Sequence, residues 1–335
     1  MCNLKESRTP AACPIHPLQT MYINATGYYI PTERVDNAHF LPINGLTDEW
    51  IVKRTGIHTR SRAAADENQN SMAIAAVRDA LKNLPYDIKD VDLIVSAAYS
   101  AYDTVATVAH ETQKEFDIDG AKALYVSSAC SSFVNGLEVV EGYFAMGKAK
   151  RALLICSEHN TYYANETDVK CGHLWGDAAV AFFLSAEPCG EDEPEIKAIY
   201  TSGLGNISKG PEGVKLRPKE DGITMPDGRD VFIHACRYMI NALDEAGKMA
   251  GGIKTPELDY IICHQANLRI VANVAHQLGL PDERFLNNIG ELGNTGSAGA
   301  PLVFAQHRAD FRKGQTVGVT VFGGGYSCGA FIAKI

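Results

Sequence analysis

The stretch LYVSSACSSFVNGLEVVEGYF, residues 124–144, joins a short apolar run, a group of small residues and a helix-forming segment. Within it Phe133, Leu137, Val140 and Phe144 recur at helical spacing, which predicts one buried helix face. The stretch therefore predicts an apolar strand that ends at small residues and passes directly into a helix.

Cys130 lies at this junction, just before or at the first turn of the predicted helix. Unpaired backbone N–H groups and the helix dipole stabilise an anion at such a position, so we expect a nucleophilic thiolate with a lowered pKa. The small Ser and Ala neighbours leave room for a substrate. The alternative is structural, because cysteine commonly packs as a small buried hydrophobe.

The composition is that of an ordinary globular protein, with 335 residues, 46% hydrophobic and 21% charged. No apolar run approaches the ~20 residues of a membrane span, and residues 1–20 lack the apolar core of a signal peptide. We therefore expect no membrane association and a polar extension at 1–20, with Met21 as a candidate natural start. The net charge of -9 argues against general nucleic-acid binding.

Nine cysteines without regular spacing favour a reducing compartment, here the cytoplasm, and argue against a disulfide framework. The nearest approach to metal-ligand pairs is Cys13 with His16 and Cys171 with His173. Neither has the second ligand pair of a structural zinc site, so we expect no metal.

Apolar β-rich runs alternate with helix-period segments along the chain. The runs are residues 92–98, 152–157, 178–186, 258–263, 316–322 and 327–335, and the helical segments are 71–84, 133–146 and 231–246. Runs with few polar residues suit strands covered on both faces, and the alternation predicts an α/β fold. A polar linker at 187–195 divides the chain into two halves, and 202–229 is predicted as a long surface loop.

Two further strand-to-helix junctions carry candidate functional residues. In YIICHQANLRI, residues 260–270, an apolar strand ends at His264, where a histidine serves acid–base or hydrogen-bonding roles or merely satisfies a local carbonyl. Asn294 lies in a Gly-rich turn before an apolar helix, where asparagine also serves plain turn chemistry. Together with Cys130, these residues occupy the junctions at which α/β folds commonly place function.

The C-terminal VFGGGYSCG, residues 321–329, superficially matches a dinucleotide-binding fingerprint. That fingerprint needs a following helix, whereas an apolar strand follows here, so the glycines predict a turn between strands. Three glycines permit close backbone approach and can offer an N–H group to a developing oxyanion.

Six segments match one family in order and spacing. They are DEWIVKRTGI, the Cys130 segment, WGDAAVA, CHQANLRI, GNTGSAGAP and FGGGYSCG. With them the chain resembles the β-ketoacyl-acyl-carrier-protein synthase III family of the thiolase superfamily, over residues 21–335. The resemblance implies a homodimer and a five-layered αβαβα thiolase-like fold of two similar halves, 21–190 with the cysteine and 191–335 with the histidine and asparagine.

The resemblance also implies a two-step reaction without metal or cofactor. Cys130 would take an acyl group from acyl-CoA or an acyl carrier protein, and a malonyl thioester would then decarboxylate and attack it. The backbone N–H groups of Cys130 and Gly324 would form the oxyanion hole. His264 and the Asn294 amide would donate hydrogen bonds to the malonyl thioester oxygen.

For the pantetheine arm and nucleotide of CoA, the family pattern assigns Trp50, Arg54, Asn267 and Arg269. Guanidinium groups pair with phosphates and an indole face stacks on adenine, although Trp50 is equally suited to anchoring the core. Basic residues of the long loop would, with Arg269, form a patch for an acidic carrier protein or simply a solvated loop. They are Lys209, Lys215, Arg217 and Lys219.

The chain departs from the family pattern in three places. The segment AAYSAYDTVATVAHETQ, residues 97–113, lacks the prolines that the family usually carries where it shapes the acyl pocket. Trp175 stands where Phe is common, and Val169 and Lys170 fall where an Arg often touches the nucleotide. The primer is therefore open, and a specialised lipid or polyketide-like pathway is an alternative to housekeeping fatty acid synthesis.

Four other functions are weighed against condensation. An acyltransferase of the same fold, acting on an alcohol or amine, often alters the asparagine that this chain retains at Asn294. A thiolase proper needs a second cysteine where Val321 stands. A cysteine protease has a different local signature. A silent partner subunit generally loses the nucleophile or its helpers.

Overall fold

The computed structural model describes residues 20–335, so the predicted extension and the Cys13–His16 pair lie outside the described residues, Thr20 excepted. The strands are β1 (Met21–Tyr29), β2 (Glu33–Asp36), β3 (Thr59–Arg62), β4 (Leu93–Ala97), β5 (Lys122–Val126), β6 (Arg151–His159), β7 (Asp177–Ser185), β8 (Glu195–Gly203), β9 (Lys215–Arg217), β10 (Gly222–Thr224), β11 (Tyr260–Cys263), β12 (Thr316–Gly323) and β13 (Ser327–Lys334). The helices are α1 (Leu41–Asn44), α2 (Asp48–Thr55), α3 (Gln69–Ala80), α4 (Val108–Glu115), α5 (Ser132–Ala145), α6 (Asn160–Tyr163), α7 (Gly228–Met249), α8 (Leu268–Leu278), α9 (Ile289–Leu292) and α10 (Gly299–Gln306).

Nine strands form one mixed sheet in the order β11-β12-β13-β8-β1-β7-β6-β4-β5. At its centre β1 and β8 pair antiparallel through two residue pairs. Outward from this junction each side repeats one pattern, because two antiparallel pairings are followed by a parallel one. The repeat gives the two similar halves that were predicted, while the border between residues 190 and 191 stays a prediction.

The helices form three layers, one between the two halves of the sheet and one on each outer face. The central helices contact strands of both halves, since α5 packs on β4, β6, β8 and β13, and α10 packs on β1, β7, β11 and β12. On the outer faces α3 covers β1, β6 and β7, while α7 covers β8, β12 and β13. The predicted αβαβα architecture is confirmed.

Helix α5 lies between the two halves of the sheet, and its apolar face is buried, as the sequence predicts. Phe133, Leu137 and Val140 are fully buried. A Cβ at Gly136 would lie 2.7 Å from Leu154 Cδ1, so the glycine lets α5 approach strand β6 closely. This contact fixes the start of α5, and with it the position of the preceding turn.

The predicted surface loop at 202–229 is wrong in part. Strand β8 runs into it, and β9 and β10 pair as an antiparallel hairpin through Leu216 and Ile223. Strands of three residues carry too few apolar positions to show a period of two, so β9 and β10 could not be predicted from the sequence.

Within residues 20–335, no helix is both long and apolar enough to cross a bilayer. The seven cysteines of this part of the chain are free thiols.

Candidate active site

Cys130 lies in the tight turn between β5 and α5. Ala129 adopts a positive φ of 49°, a backbone conformation that is costly for a residue with a side chain. The Ser128 carbonyl accepts from the Ser131 N–H at 3.1 Å, and the Ser128 N–H donates to Ser132 Oγ at 2.8 Å. These bonds hold the thiol at the beginning of helix α5, as the sequence predicts.

The three-glycine turn between β12 and β13 packs directly against this cysteine. A Cβ at Gly323 would lie 2.9 Å from the backbone nitrogens of Cys130 and Ser131, so only glycine permits the approach. The Ser131 and Ser327 hydroxyls are hydrogen-bonded at 2.6 Å and join the two segments. Gly324 therefore lies beside the nucleophile, while its part in an oxyanion hole stays a prediction.

His264 is the first residue after β11. That strand runs parallel to β12, with Cys263 opposite Thr320, so both strands end at the same edge of the sheet. Burial lowers the pKa of His264 to about 4, and the imidazole is neutral at pH 7. Its Nδ1 is buried without a hydrogen-bond partner in the described part of the chain.

Asn294 is held by its backbone beside the buried Trp175. The Asn294 N–H donates to the Leu174 carbonyl at 2.8 Å, and its carbonyl accepts from the Gly176 N–H at 3.0 Å. Its side-chain Oδ1 accepts from the Gly296 N–H at 3.0 Å. Because the amide oxygen is engaged, the NH₂ end is left as the donor, as the predicted role requires.

Tyr99 connects the cysteine to the asparagine turn. Its buried hydroxyl lies close enough to Cys130 to lower the pKa of the thiol, without hydrogen-bond geometry to any described residue. A Cβ at Gly296 would lie 2.6 Å from Tyr99 Oη. The structure thus brings Cys130, the glycine turn and the Asn294 turn together, with His264 at the same sheet edge as the glycine turn.

Two family models match the chain. The model described as 3-Oxoacyl-[acyl-carrier-protein (ACP)] synthase III matches residues 124–203, and its C-terminal counterpart matches residues 249–335. A β-ketoacyl-[acyl-carrier-protein] synthase III of Methylococcus capsulatus is 34% identical over 93% of this chain and 98% of its own. The chain belongs to the 3-oxoacyl-[acyl-carrier-protein] synthase III family.

Solved structures of synthase III proteins share the fold. The enzyme from Aquifex aeolicus superposes with a TM-score of 0.86 at 30% identity, covering 94% of this chain and 100% of that one. The priming β-ketosynthase of a polyketide biosynthetic pathway gives a TM-score of 0.84 at 26% identity, covering 94% and 96%. The predicted family and fold are both confirmed.

In this synthase III chain the pKa of the Cys130 thiol differs from the prediction made from the sequence. Burial, with a smaller contribution from the Glu158 carboxylate, raises its pKa to about 12. The prediction of a lowered pKa is wrong, because removal of water outweighs the stabilisation at the helix start. The thiol is therefore protonated at neutral pH.

Glu158, a fully buried carboxylate on β6, was not predicted from the sequence. It accepts from the backbone N–H groups of Tyr99 at 3.2 Å and Ser100 at 3.0 Å, and from the Ser100 and Ser297 hydroxyls. Burial raises the pKa of Glu158 to about 7. An acidic residue inside an apolar strand is rare enough to have marked the position.

The four residues predicted to bind CoA line one cavity of about 560 Å³. They are Trp50, Arg54, Asn267 and Arg269. The Arg54 guanidinium carbon lies 4.1 Å from the centroid of the Trp50 ring, so this tryptophan faces the cavity instead of acting only as a core anchor. Leu174 also lines the cavity and accepts the hydrogen bond from Asn294, which joins the cavity wall to the catalytic candidates.

The positive charge at this cavity comes mainly from outside the long loop. Lys215 pairs with Glu212 and Arg217 pairs with Glu220, which offsets the predicted basic patch. Further cations line the cavity or a neighbouring depression and form no ion pair with a described acidic residue. They are Lys53, Arg54, Lys170, Arg229 and Arg269. Lys170 thus keeps a cation where the family often has an arginine.

Proposed function

We propose that the protein catalyses the decarboxylating condensation of a Cys130-bound acyl group with malonyl-acyl carrier protein, giving a β-ketoacyl thioester. The observation that carries this proposal is the close packing of the glycine turn on the Cys130 backbone. His264 and an oriented Asn294 amide complete the set of groups that the reaction needs. Membership of the synthase III family supports the same reaction.

In the first half-reaction the Cys130 sulfur attacks the acyl thioester carbonyl and the donor thiol leaves. The N–H groups of Cys130 and Gly324 stabilise the oxyanion, as preorganised donors do. Because the thiol is protonated at neutral pH, its proton departs as the sulfur attacks. The neutral His264 imidazole has a nitrogen able to accept this proton and to pass it to the departing donor sulfur, which leaves as a thiol.

In the second half-reaction the malonyl thioester loses carbon dioxide, and its enolate carbon attacks the acyl carbonyl and displaces the Cys130 sulfur. His264 and the Asn294 amide donate to the enolate oxygen as charge develops on it. Asparagine suits this task because it donates without titrating. Loss of one such donor typically costs about 3–4 kcal/mol of transition-state stabilisation.

The acyl donor is acyl-CoA or an acyl carrier protein, and the malonyl donor is a carrier protein. The cationic cavity supports this assignment because both donors carry a phosphate-bearing arm, and arginine suits phosphate recognition. The active unit is a homodimer in the cytoplasm. Strand β5 supports dimerisation, because it ends the nine-stranded sheet and, within residues 20–335, one of its edges pairs with no other strand.

The test is the product mass from acyl-CoA and acyl-carrier primers incubated with malonyl carrier protein. We expect a β-ketoacyl product with loss of carbon dioxide for the parent and for Cys189→Ala, and none for Cys130→Ala. Acylation of Cys130 without a condensed product would instead favour acyl transfer to an alcohol or amine. A parent that gains no acyl mass would contradict both reactions.

A further inference from the structure

Tyr326 follows the three glycines of the turn that packs on Cys130. Its side chain is 2% exposed, and its ring lies 5.0 Å from Phe322 and 5.9 Å from His234, measured between centroids. Its hydroxyl donates to Asp230 Oδ2 at 2.7 Å. A partly buried phenol–carboxylate bond thus ties the glycine turn to helix α7.

Asp230 lies in the first turn of α7, and its carboxylate binds two other segments, the long loop and the glycine turn. Its Oδ1 accepts from the Ser208 hydroxyl at 2.6 Å, and its backbone N–H donates to Asp227 Oδ1 at 3.1 Å. The Ser208 hydroxyl, together with that of Tyr326, lowers the pKa of Asp230, which keeps the carboxylate charged. One charged group therefore joins the long loop, the helix start and the glycine turn.

The long loop covers the glycine turn directly. The Leu204 N–H donates to the Tyr326 carbonyl at 2.8 Å, and a Cβ at Gly213 would lie 2.2 Å from Tyr326 Oη. A Cβ at Gly324 would lie 3.1 Å from Val214 Cβ. The glycine turn is therefore confined between the loop on one side and the Cys130 turn on the other.

We propose that Tyr326 and Asp230 are positioning residues, which hold the glycine turn against Cys130 and thereby aim the Gly324 N–H at the developing oxyanion. This inference rests on the proposed function, because it assigns Gly324 to the oxyanion hole. The proposed positioning residues are also linked to the substrate cavity through helix α7. Arg229 and Phe232 lie in the first turns of this helix and line the cavity.

The test compares two reactions of the same thiol. Acylation of Cys130 by acetyl-, butyryl- or octanoyl-CoA passes through an oxyanion, whereas alkylation by iodoacetamide does not. We expect Tyr326→Phe and Asp230→Ala each to lower the ratio of acylation to alkylation rate about tenfold, the order of one hydrogen bond to a charged group. The double variant should fall little further, because both single changes remove the shared Tyr326–Asp230 bond.

Tyr238→Phe is the matched control. Its ring also stacks near His234 and Phe322, at 6.2 Å and 6.5 Å, but its hydroxyl donates to no described residue. An unchanged ratio in Tyr326→Phe would overturn the positioning role, as would an equal loss in the control or a parallel fall of both rates. If the parent takes up no acyl group at all, the proposed function fails, and this inference fails with it.

Discussion

The two halves of the molecule share a strand pattern but contribute different chemistry. In the first half, parallel strands β4 and β5 lead to Tyr99 and Cys130. In the second, β11 leads to His264, and a bridge from Ile261 to Phe285 stands where β5 stands in the first half, before the chain reaches Asn294. One topology, used twice, places a nucleophile in one half and hydrogen-bond donors in the other.

The surroundings of these groups differ as well. Cys130 shares its buried environment with the ionisable Glu158 and Tyr99, whereas burial alone keeps His264 neutral. The first half therefore sets the protonation of the resting thiol, and the second supplies groups that carry no charge at pH 7. Among these groups His264 and Gly324 serve acylation and Asn294 serves condensation alone, so this division predicts that loss of Asn294 separates the two steps.

The largest effect is expected for Asn294→Ala. Condensation should fall about 10²–10³-fold, because a donor to the enolate is lost. Acylation of Cys130 should stay within about threefold of the parent, since that step uses the other oxyanion site. Single-turnover acylation and steady-state condensation measure the two steps separately. Asn287→Ala, in the same connection, is the control, and an equal loss of both steps in Asn294→Ala would contradict the division.

The second-largest effect is expected at the contact between the halves, where Gly323 packs on the Cys130 turn. Gly323→Ala would place a Cβ 2.9 Å from the Cys130 and Ser131 nitrogens, so the backbones must separate. We expect the free energy of unfolding to fall by about 1–3 kcal/mol and acylation to slow with it. Urea unfolding measures the first quantity.

Gly142→Ala on α5 is the control for that change. No atom of residues 20–335 beyond the helix itself lies within 4 Å of the added methyl group, and alanine favours a helix by about 0.5–1 kcal/mol over glycine. We expect Gly142→Ala to be neutral or stabilising. A Gly323→Ala protein that is as stable and as active as the parent would show that the contact between the halves tolerates movement.

Much of this site could be predicted from the sequence, because strands covered on both faces leave continuous apolar runs and junction residues interrupt them. Cys130, His264 and Asn294 were found in this way. The packing of Tyr99 between two turns could not be predicted, because it depends on residues distant in sequence. The raised pKa of Cys130 was missed for a similar reason, since desolvation arises only when the layers assemble.

A smaller effect is expected when either of the two ionisable neighbours of the Cys130 thiol, Glu158 or Tyr99, is changed. The Glu158 carboxylate raises the pKa of Cys130 and the Tyr99 hydroxyl lowers it, so their removal should act with opposite signs. At pH 8, below that pKa, we expect iodoacetamide to alkylate Cys130 faster in Glu158→Gln and more slowly in Tyr99→Phe, each by about threefold to tenfold.

The pH profile of the parent provides the reference. With a Cys130 pKa of about 12, the alkylation rate should rise about tenfold for each pH unit between 7 and 9 and show no plateau there. Changes of the same sign in both variants would indicate altered access to the thiol in place of altered protonation. A plateau below pH 9 would contradict the raised pKa.

The smallest effect concerns the cavity of about 560 Å³, to which both halves contribute an arginine. Arg54 comes from the first half and Arg269 from the second, and both line the cavity. Each Arg→Ala change should raise KM for acyl-CoA about threefold, as for a solvent-exposed ion pair, and should leave KM for an acyl-pantetheine without the nucleotide unchanged. Lys209→Ala in the long loop is the control. If only one Arg→Ala change raised KM for acyl-CoA, or if KM for acyl-pantetheine rose equally, the two halves would not bind the nucleotide phosphates jointly. The difference between the halves seen at Cys130 would then extend to this cavity.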